Sequence, residues 1–94
     1  MLRYLFYSSK CKACFKLMTV MENQGMIDMF TLQSVDNWNT EEYIRWGVEH
    51  VPTILIMSNV GGQRQKGIFQ RKDAFEWVDN TIANRRQTMI AYAE

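Results

Sequence analysis

The chain is short of the residues that would point its function elsewhere. One proline, one histidine and two cysteines occur in 94 residues, and eleven Lys and Arg stand against ten Asp and Glu, for a formal net charge of +1. A nucleic-acid-binding face needs a clustered surplus of cations. Here the cations alternate with acids, and Arg85-Arg86 is too short to make a basic tail, so nucleic acid is not an expected partner. No apolar run approaches the ~20 residues that cross a bilayer, so no membrane span is expected either. Leu2-Arg3-Tyr4-Leu5-Phe6-Tyr7 is too short and too strand-like for an export signal, and a reducing, cytoplasmic location is the expectation. In that setting a lone cysteine pair is more often catalytic or metal-binding than a structural staple.

What is present is enough for one compact domain over residues 1–94. Apolar residues make up 47% and charged residues 22% of the chain, the proportions of an ordinary globular protein with a core of its own. No repeat, linker or low-complexity stretch divides it. Leu2–Tyr7 reads as a buried strand ending in the turn Ser8-Ser9-Lys10. From Cys11 the period becomes helical: Cys14, Leu17, Met18 and Met21 share one face, while Lys12, Lys16, Thr19 and Asn23 share the other. Gly25 closes this helix in the left-handed conformation.

A second strand is expected over Met29–Val35. Asn39, with Glu42 three residues on, caps a helix that runs to about Trp46 and stops at Gly47. Thr53–Met57 is the strongest strand, apolar on both faces. A turn over Asn59–Gln63 leads to a weaker strand near Gln65–Phe69, the two making a hairpin. Asp73 is expected to cap the last helix with Glu76 in the capping-box position, its buried face carried by Phe75, Val78 and Ile82. The order is β-α-β-α-β-β-α, a four-stranded mixed sheet covered by helices, in which the first two strands are parallel and the hairpin is antiparallel.

Cys11-Lys12-Ala13-Cys14 is the motif that carries chemistry. Two cysteines placed at random would fall three apart only about twice in a hundred placements. Cys11 sits where a strand ends and a helix begins, facing unpaired N–H groups and the positive end of the helix dipole. Lys10 and Lys12 add positive charge, and such settings lower a thiol pKa to about 3.5–7.5. Cys14, one turn deeper on the apolar face, is expected to remain a neutral thiol. Cys11 is then the nucleophile that attacks a disulfide, and Cys14 the thiol that resolves the mixed disulfide. Pro52, at the entrance to the strongest strand, fits a strand's first position, where the missing N–H costs little.

The cysteine pair, the element order and the proline together resemble the thioredoxin superfamily. Trp46-Gly47-Val48-Glu49-His50-Val51-Pro52-Thr53-Ile54-Leu55 is similar to the thioredoxin stretch that enters a strand through a cis-proline, and Tyr7-Ser8-Ser9-Lys10-Cys11-Lys12-Ala13-Cys14 is closer to a glutaredoxin opening. The resemblance spans Leu2 to about Ile82. It implies a thioredoxin-like fold and a thiol–disulfide oxidoreductase with no cofactor. Pro52 would be cis beside the cysteines, and Val51 would pair with an incoming substrate strand. Val51, Pro52 and Lys10 become the expected substrate-binding residues. Protein disulfides and dithiols are the implied partners, with a recycling reductase or thiol system, and a monomer is expected.

The chain departs from the family at several positions. Lys10 replaces the thioredoxin Trp, and Lys12-Ala13 the Gly-Pro within the pair. Leu5 stands where thioredoxins keep a buried aspartate, so water or a lysine must take the resolving thiol's proton. Gln63-Arg64-Gln65 follows Gly61-Gly62 where glutaredoxins have an acid that holds glutathione, so glutathione is not carried over as a partner.

Two rival readings use the same residues. A metal module has only Cys11, Cys14 and His50 to draw on. Zinc or an iron–sulfur cluster would share ligands in a dimer, whereas copper suits the two thiolates alone, though copper-carrying domains run β-α-β-β-α-β and this order differs. A thioredoxin-fold adaptor would leave the cysteines incidental. His50 is expected to be a solvated loop residue, the methionines to pack, Trp46 and Trp77 to be core or partly buried, and Trp38 to lie at the surface. The tail from Arg85 to Glu94 either extends the last helix or docks on a partner.

Overall fold

The structure, a computed structural model, describes residues 2–93, leaving aside the side chains of residues 60 and 86–93. Its elements are β1 (Leu2–Tyr7), α1 (Lys12–Asn23), a 3-10 turn (Ile27–Met29), β2 (Thr31–Ser34), α2 (Thr40–Trp46), β3 (Thr53–Val60), β4 (Gln63–Gln70) and α3 (Lys72–Ala93). The strands form one mixed sheet in the order β2-β1-β3-β4, with β1 and β2 parallel and the other neighbours antiparallel. The α/β architecture and element order are those expected.

Alternation along the central strands builds a core on each face of the sheet. Leu5 and Ile54 lie opposite each other in the ladder and point to the side covered by α1 and α3, where Leu17, Met21, Met26, Phe30, Ala74 and Val78 close around them. Phe6 and Leu55, one residue on in each strand, point to the side of α2 and meet Val35 and Val48. Each of these four strand side chains is at most 1% exposed, and full burial of such a side chain stabilises by about 1.5–3 kcal/mol. Trp38 is half-buried on the α2 side, its ring 5.2 Å from Phe6 and 5.3 Å from Tyr43, which corrects the surface position expected for it. The two-faced burial expected of β3 holds for Thr53–Leu55; Ile56 and Met57 are only half-buried.

Two helices end in the same way. Gly25 (φ 68°) and Gly47 (φ 70°) take the left-handed conformation. The N–H of each glycine returns to the carbonyl three residues back, and the next N–H returns five back, Met26 to Met21 at 2.8 Å and Val48 to Tyr43 at 3.0 Å. This Schellman closure sets a buried residue, Met26 or Val48, directly after each helix. At the other end of α2 the Asn39 side chain accepts the Glu42 N–H at 3.0 Å, the expected cap.

Three boundaries differ from expectation. Met29 belongs to the 3-10 turn, so β2 starts at Thr31. The β3–β4 turn takes only Gly61-Gly62, whose φ angles of 59° and 80° suit a type I′ turn, and pairing therefore continues to Val60 and Gln63. Helix α3 begins at Lys72, which places Asp73 in its first turn and not at its cap. The capping position falls to Arg71, whose carbonyl accepts from the Ala74 and Phe75 N–H groups at 3.0 and 3.3 Å. The tail continues α3 to Ala93, and Arg85 Nη1 donates to the Gln24 carbonyl at 3.2 Å. Among the described residues no helix is long and apolar enough to cross a membrane.

Gly47→Ala forces an L side chain into the left-handed region and sets its Cβ 3.3 Å from Ile68 Cδ1. The expected loss is about 1–2 kcal/mol of stability, measured as a lower urea midpoint with an unchanged slope.

Candidate active site

The first cysteine ends a turn and starts a helix. Cys11 is extended (φ −102°, ψ 114°) and is the N-cap of α1, its Sγ accepting the Cys14 N–H at 3.4 Å. Its own N–H donates to the Ser8 carbonyl at 3.2 Å. The Cys11 thiol is half-buried and reaches the Val51 carbonyl at 3.9 Å, and Cys14 is 1% exposed. Both thiols are free.

Their environments push the two thiols apart. Desolvation is the largest influence on Cys11 and raises its pKa. Hydrogen bonds from the Cys14 thiol and from the Cys14 and Ala13 N–H groups, with the Arg71 charge, outweigh it and leave Cys11 below the ordinary thiol value. Burial pushes Cys14 up to about 12, against a hydrogen bond from the Ser8 backbone and with the Cys11 sulfur and the Asp36 charge adding to the rise. The cation that acts on Cys11 is thus Arg71, from the β4–α3 junction, in place of the adjacent lysines expected. Lys10 is exposed, and its N–H donates to Ser8 Oγ at 3.2 Å within the turn.

Asp36, beyond β2, ties the turn down. Ser8 Oγ donates to it at 2.6 Å, the Ser9 N–H at 3.1 Å and Ser34 Oγ at 3.1 Å. The Ser8 and Ser9 hydrogen bonds hold its carboxyl well below the usual carboxylate range. A carboxylate so stabilised is a poor base, and it acts on Cys14 as a fixed negative charge.

The third side of the site is the segment before β3. The Val51–Pro52 peptide bond is cis and Pro52 is buried. The Pro52 carbonyl accepts the Arg71 N–H at 2.8 Å, with Arg71 in the left-handed region at φ 51°. Gln70 Oε1 accepts the Glu49 and His50 N–H groups at 2.7 and 2.9 Å. His50 is exposed. A cleft of about 620 Å³ runs from Thr40 and Ile44 on α2 to His50 and Val51. Among the described residues no three His, Cys, Asp or Glu side chains cluster as a metal site would require.

The structure therefore brings Cys11, Cys14, Val51 and Pro52 together. Arg71, Asp36 and Gln70 are the participants that sequence reasoning missed. An arginine at a positive φ, a glutamine bonding across a strand pair and an aspartate 27 and 28 residues from the turn it holds leave no local pattern.

The Arg71 contribution is testable with Arg71→Gly, which keeps the backbone conformation and removes the cation. The expected result is a higher pH midpoint for iodoacetamide alkylation of Cys11, followed on the reduced protein by peptide mass. An unshifted midpoint would show that the Arg71 field does not reach the sulfur.

No protein-family model and no curated protein matches the sequence. Solved structures do match the fold. A thioredoxin from Trichomonas vaginalis superposes with a TM-score of 0.62 at 18% identity, covering 93% of this chain and 78% of that one. A thioredoxin from Thermus thermophilus gives 0.59 at 21% identity over 95% and 73%. The germline-specific thioredoxin Deadhead of Drosophila melanogaster gives 0.57 at 18% over 88% and 78%. The chain has the thioredoxin-like fold.

Proposed function

We propose that the protein is a thiol–disulfide oxidoreductase in which Cys11 is the nucleophile and Cys14 the resolving thiol. The observation that carries this reading is the N-capping sulfur of Cys11, part-exposed and lowered in pKa, with the buried Cys14 one helical turn behind it. The Cys11 thiolate attacks one sulfur of a substrate disulfide. The S–S bond breaks, and the second substrate sulfur leaves as a thiolate. Cys14 then gives up its proton and attacks the Cys11 sulfur, expelling the other substrate thiolate and closing the Cys11–Cys14 disulfide. Two electrons pass to the substrate, and a second dithiol must return them.

The proton on Cys14 is the difficult one, since its pKa is pushed up to about 12. Two of the causes are the Cys11 hydrogen bond and charge, and both vanish once Cys11 is in the mixed disulfide. The resolving thiol thus becomes more acidic at the stage that needs its anion, although burial, the largest cause of its rise, remains, and the departing substrate thiolate is the base at hand to take the proton. Val51, whose carbonyl already meets the Cys11 thiol, would pair its backbone with the substrate segment beside Pro52. Protein disulfides are the substrates this arrangement favours, and a separate reductase or thiol system is the partner that would recharge it.

Cys14→Ser is expected to accumulate a covalent adduct through Cys11 when mixed with a disulfide-bonded polypeptide, visible by non-reducing mass spectrometry. Cys11→Ser should form none, and the wild-type protein should end lighter by two hydrogens. Failure to trap any adduct with Cys14→Ser would remove the basis for the mechanism.

A further inference from the structure

The segment that leads into Pro52 lies between α2 and β3 and has no ladder of its own. It is held instead by two side chains, Gln70 on its N–H groups and Thr53 on the His50 carbonyl. Gln70, the last residue of β4, stands opposite Thr53, the first residue of β3. Its carboxamide oxygen accepts two consecutive backbone donors, the Glu49 and His50 N–H groups at 2.7 and 2.9 Å. Because both partners donate, the oxygen and not the NH2 group must face them. Thr53 is fully buried, its hydroxyl donates to the His50 carbonyl, and its Oγ1 lies 3.5 Å from the same Gln70 oxygen. The His50 residue is therefore gripped at both its N–H and its C=O. Its carbonyl belongs to the peptide group that ends at the Val51 nitrogen, so fixing it fixes the direction in which the Val51 backbone presents itself.

We propose that Gln70 is a positioning residue that holds Glu49–Val51 in register for main-chain pairing with an extended polypeptide, and thereby makes the site selective for polypeptide disulfides over small ones. This rests on the oxidoreductase reading. Strand addition draws its affinity from main-chain hydrogen bonds, which reward an edge whose conformation is already set. The cleft of about 620 Å³ lies along the same segment, with Ile44 75% exposed beside it. That gives residues flanking a substrate cysteine somewhere to go. A small disulfide needs only the Cys11 sulfur and gains nothing from the held edge.

Gln70→Met keeps the side-chain length and removes the acceptor, and Gln70→Glu keeps an acceptor for both N–H groups. The two variants and the wild type are compared on insulin and on bis(2-hydroxyethyl) disulfide, with dithiothreitol as the recycling dithiol. For Gln70→Met the ratio of kcat/KM for insulin to that for the small disulfide should fall about tenfold, carried by KM, which corresponds to about 1.4 kcal/mol of lost binding. Gln70→Glu should restore most of the ratio. Equal losses on both substrates, an unchanged ratio, or no rescue by glutamate would each overturn the role of Gln70 while leaving the oxidoreductase reading in place. A wild-type protein that reduces neither substrate would instead defeat that reading, and this inference with it.

Discussion

Helices ordinarily set the oxygen of a serine, threonine, asparagine or aspartate over their first unpaired N–H groups. In this protein α1 sets a sulfur there, and the consequences run through the rest of the molecule. A neutral thiol is a weak acceptor, whereas a thiolate is a charged one. The Cys14 N–H that points at Cys11 is therefore satisfied best when Cys11 is ionised, and the helix terminus and the anion stabilise each other. Partial burial works against the charge and is the largest single opposing influence. The hydrogen bonds of the cap prevail, and the charge of Arg71, 60 residues along the chain, adds the smallest of the lowering influences.

That convergence follows from the strand register. Tyr7 pairs with Ser34, Phe6 with Thr53, and Thr53 with Gln70. The ends of β1, β2 and β4 and the start of β3 therefore lie in a row along one margin of the sheet. Each strand end is followed or preceded by a short segment that delivers one group. Cys11 comes after β1, Asp36 after β2, Pro52 before β3 and Arg71 after β4. The mixed sheet makes this possible: a parallel β1–β2 pair sends both exits to the same margin, and antiparallel β3 and β4 bring an entrance and an exit to it.

Much of this was legible in the residues. The Cys-x-x-Cys pair at a strand–helix junction, the helical stripe Cys14-Leu17-Met21, the Asn39 cap and the glycine stops at 25 and 47 each depend on local rules, and each lies where those rules put it. Boundaries moved where local rules compete. Gly61-Gly62 alone suffices for a two-residue turn, so Asn59 and Val60 join β3. Asp73 has the chemistry of a cap but yields the position to Arg71, because the chain must first turn from β4 toward Pro52. Trp38 was misplaced because a polar flank says nothing of what the ring meets, and it meets Phe6 across 32 residues of sequence. Asp36, Gln70 and Arg71 were invisible for the same reason. Their roles consist entirely of contacts between segments far apart in the chain, and an isolated Asp, Gln or Arg has no periodicity to betray it.

Arg71 also shows how the fold distributes strain. Among the described residues the other positive φ angles belong to glycines, at 25, 47, 61 and 62, where the conformation carries no steric penalty. At 71 the chain has an L side chain in the left-handed region, at a cost of about 1–2 kcal/mol. Glycine would serve the backbone there equally well, since the N–H that meets the Pro52 carbonyl and the carbonyl that starts α3 belong to any residue. What glycine cannot supply is the guanidinium whose field lowers Cys11. The strain is thus confined to a junction that bonds the Pro52 carbonyl and sets a positive charge acting on Cys11. The same residue links the two halves of the site: its backbone secures the proline segment, and its charge favours the anion that the helix cap requires.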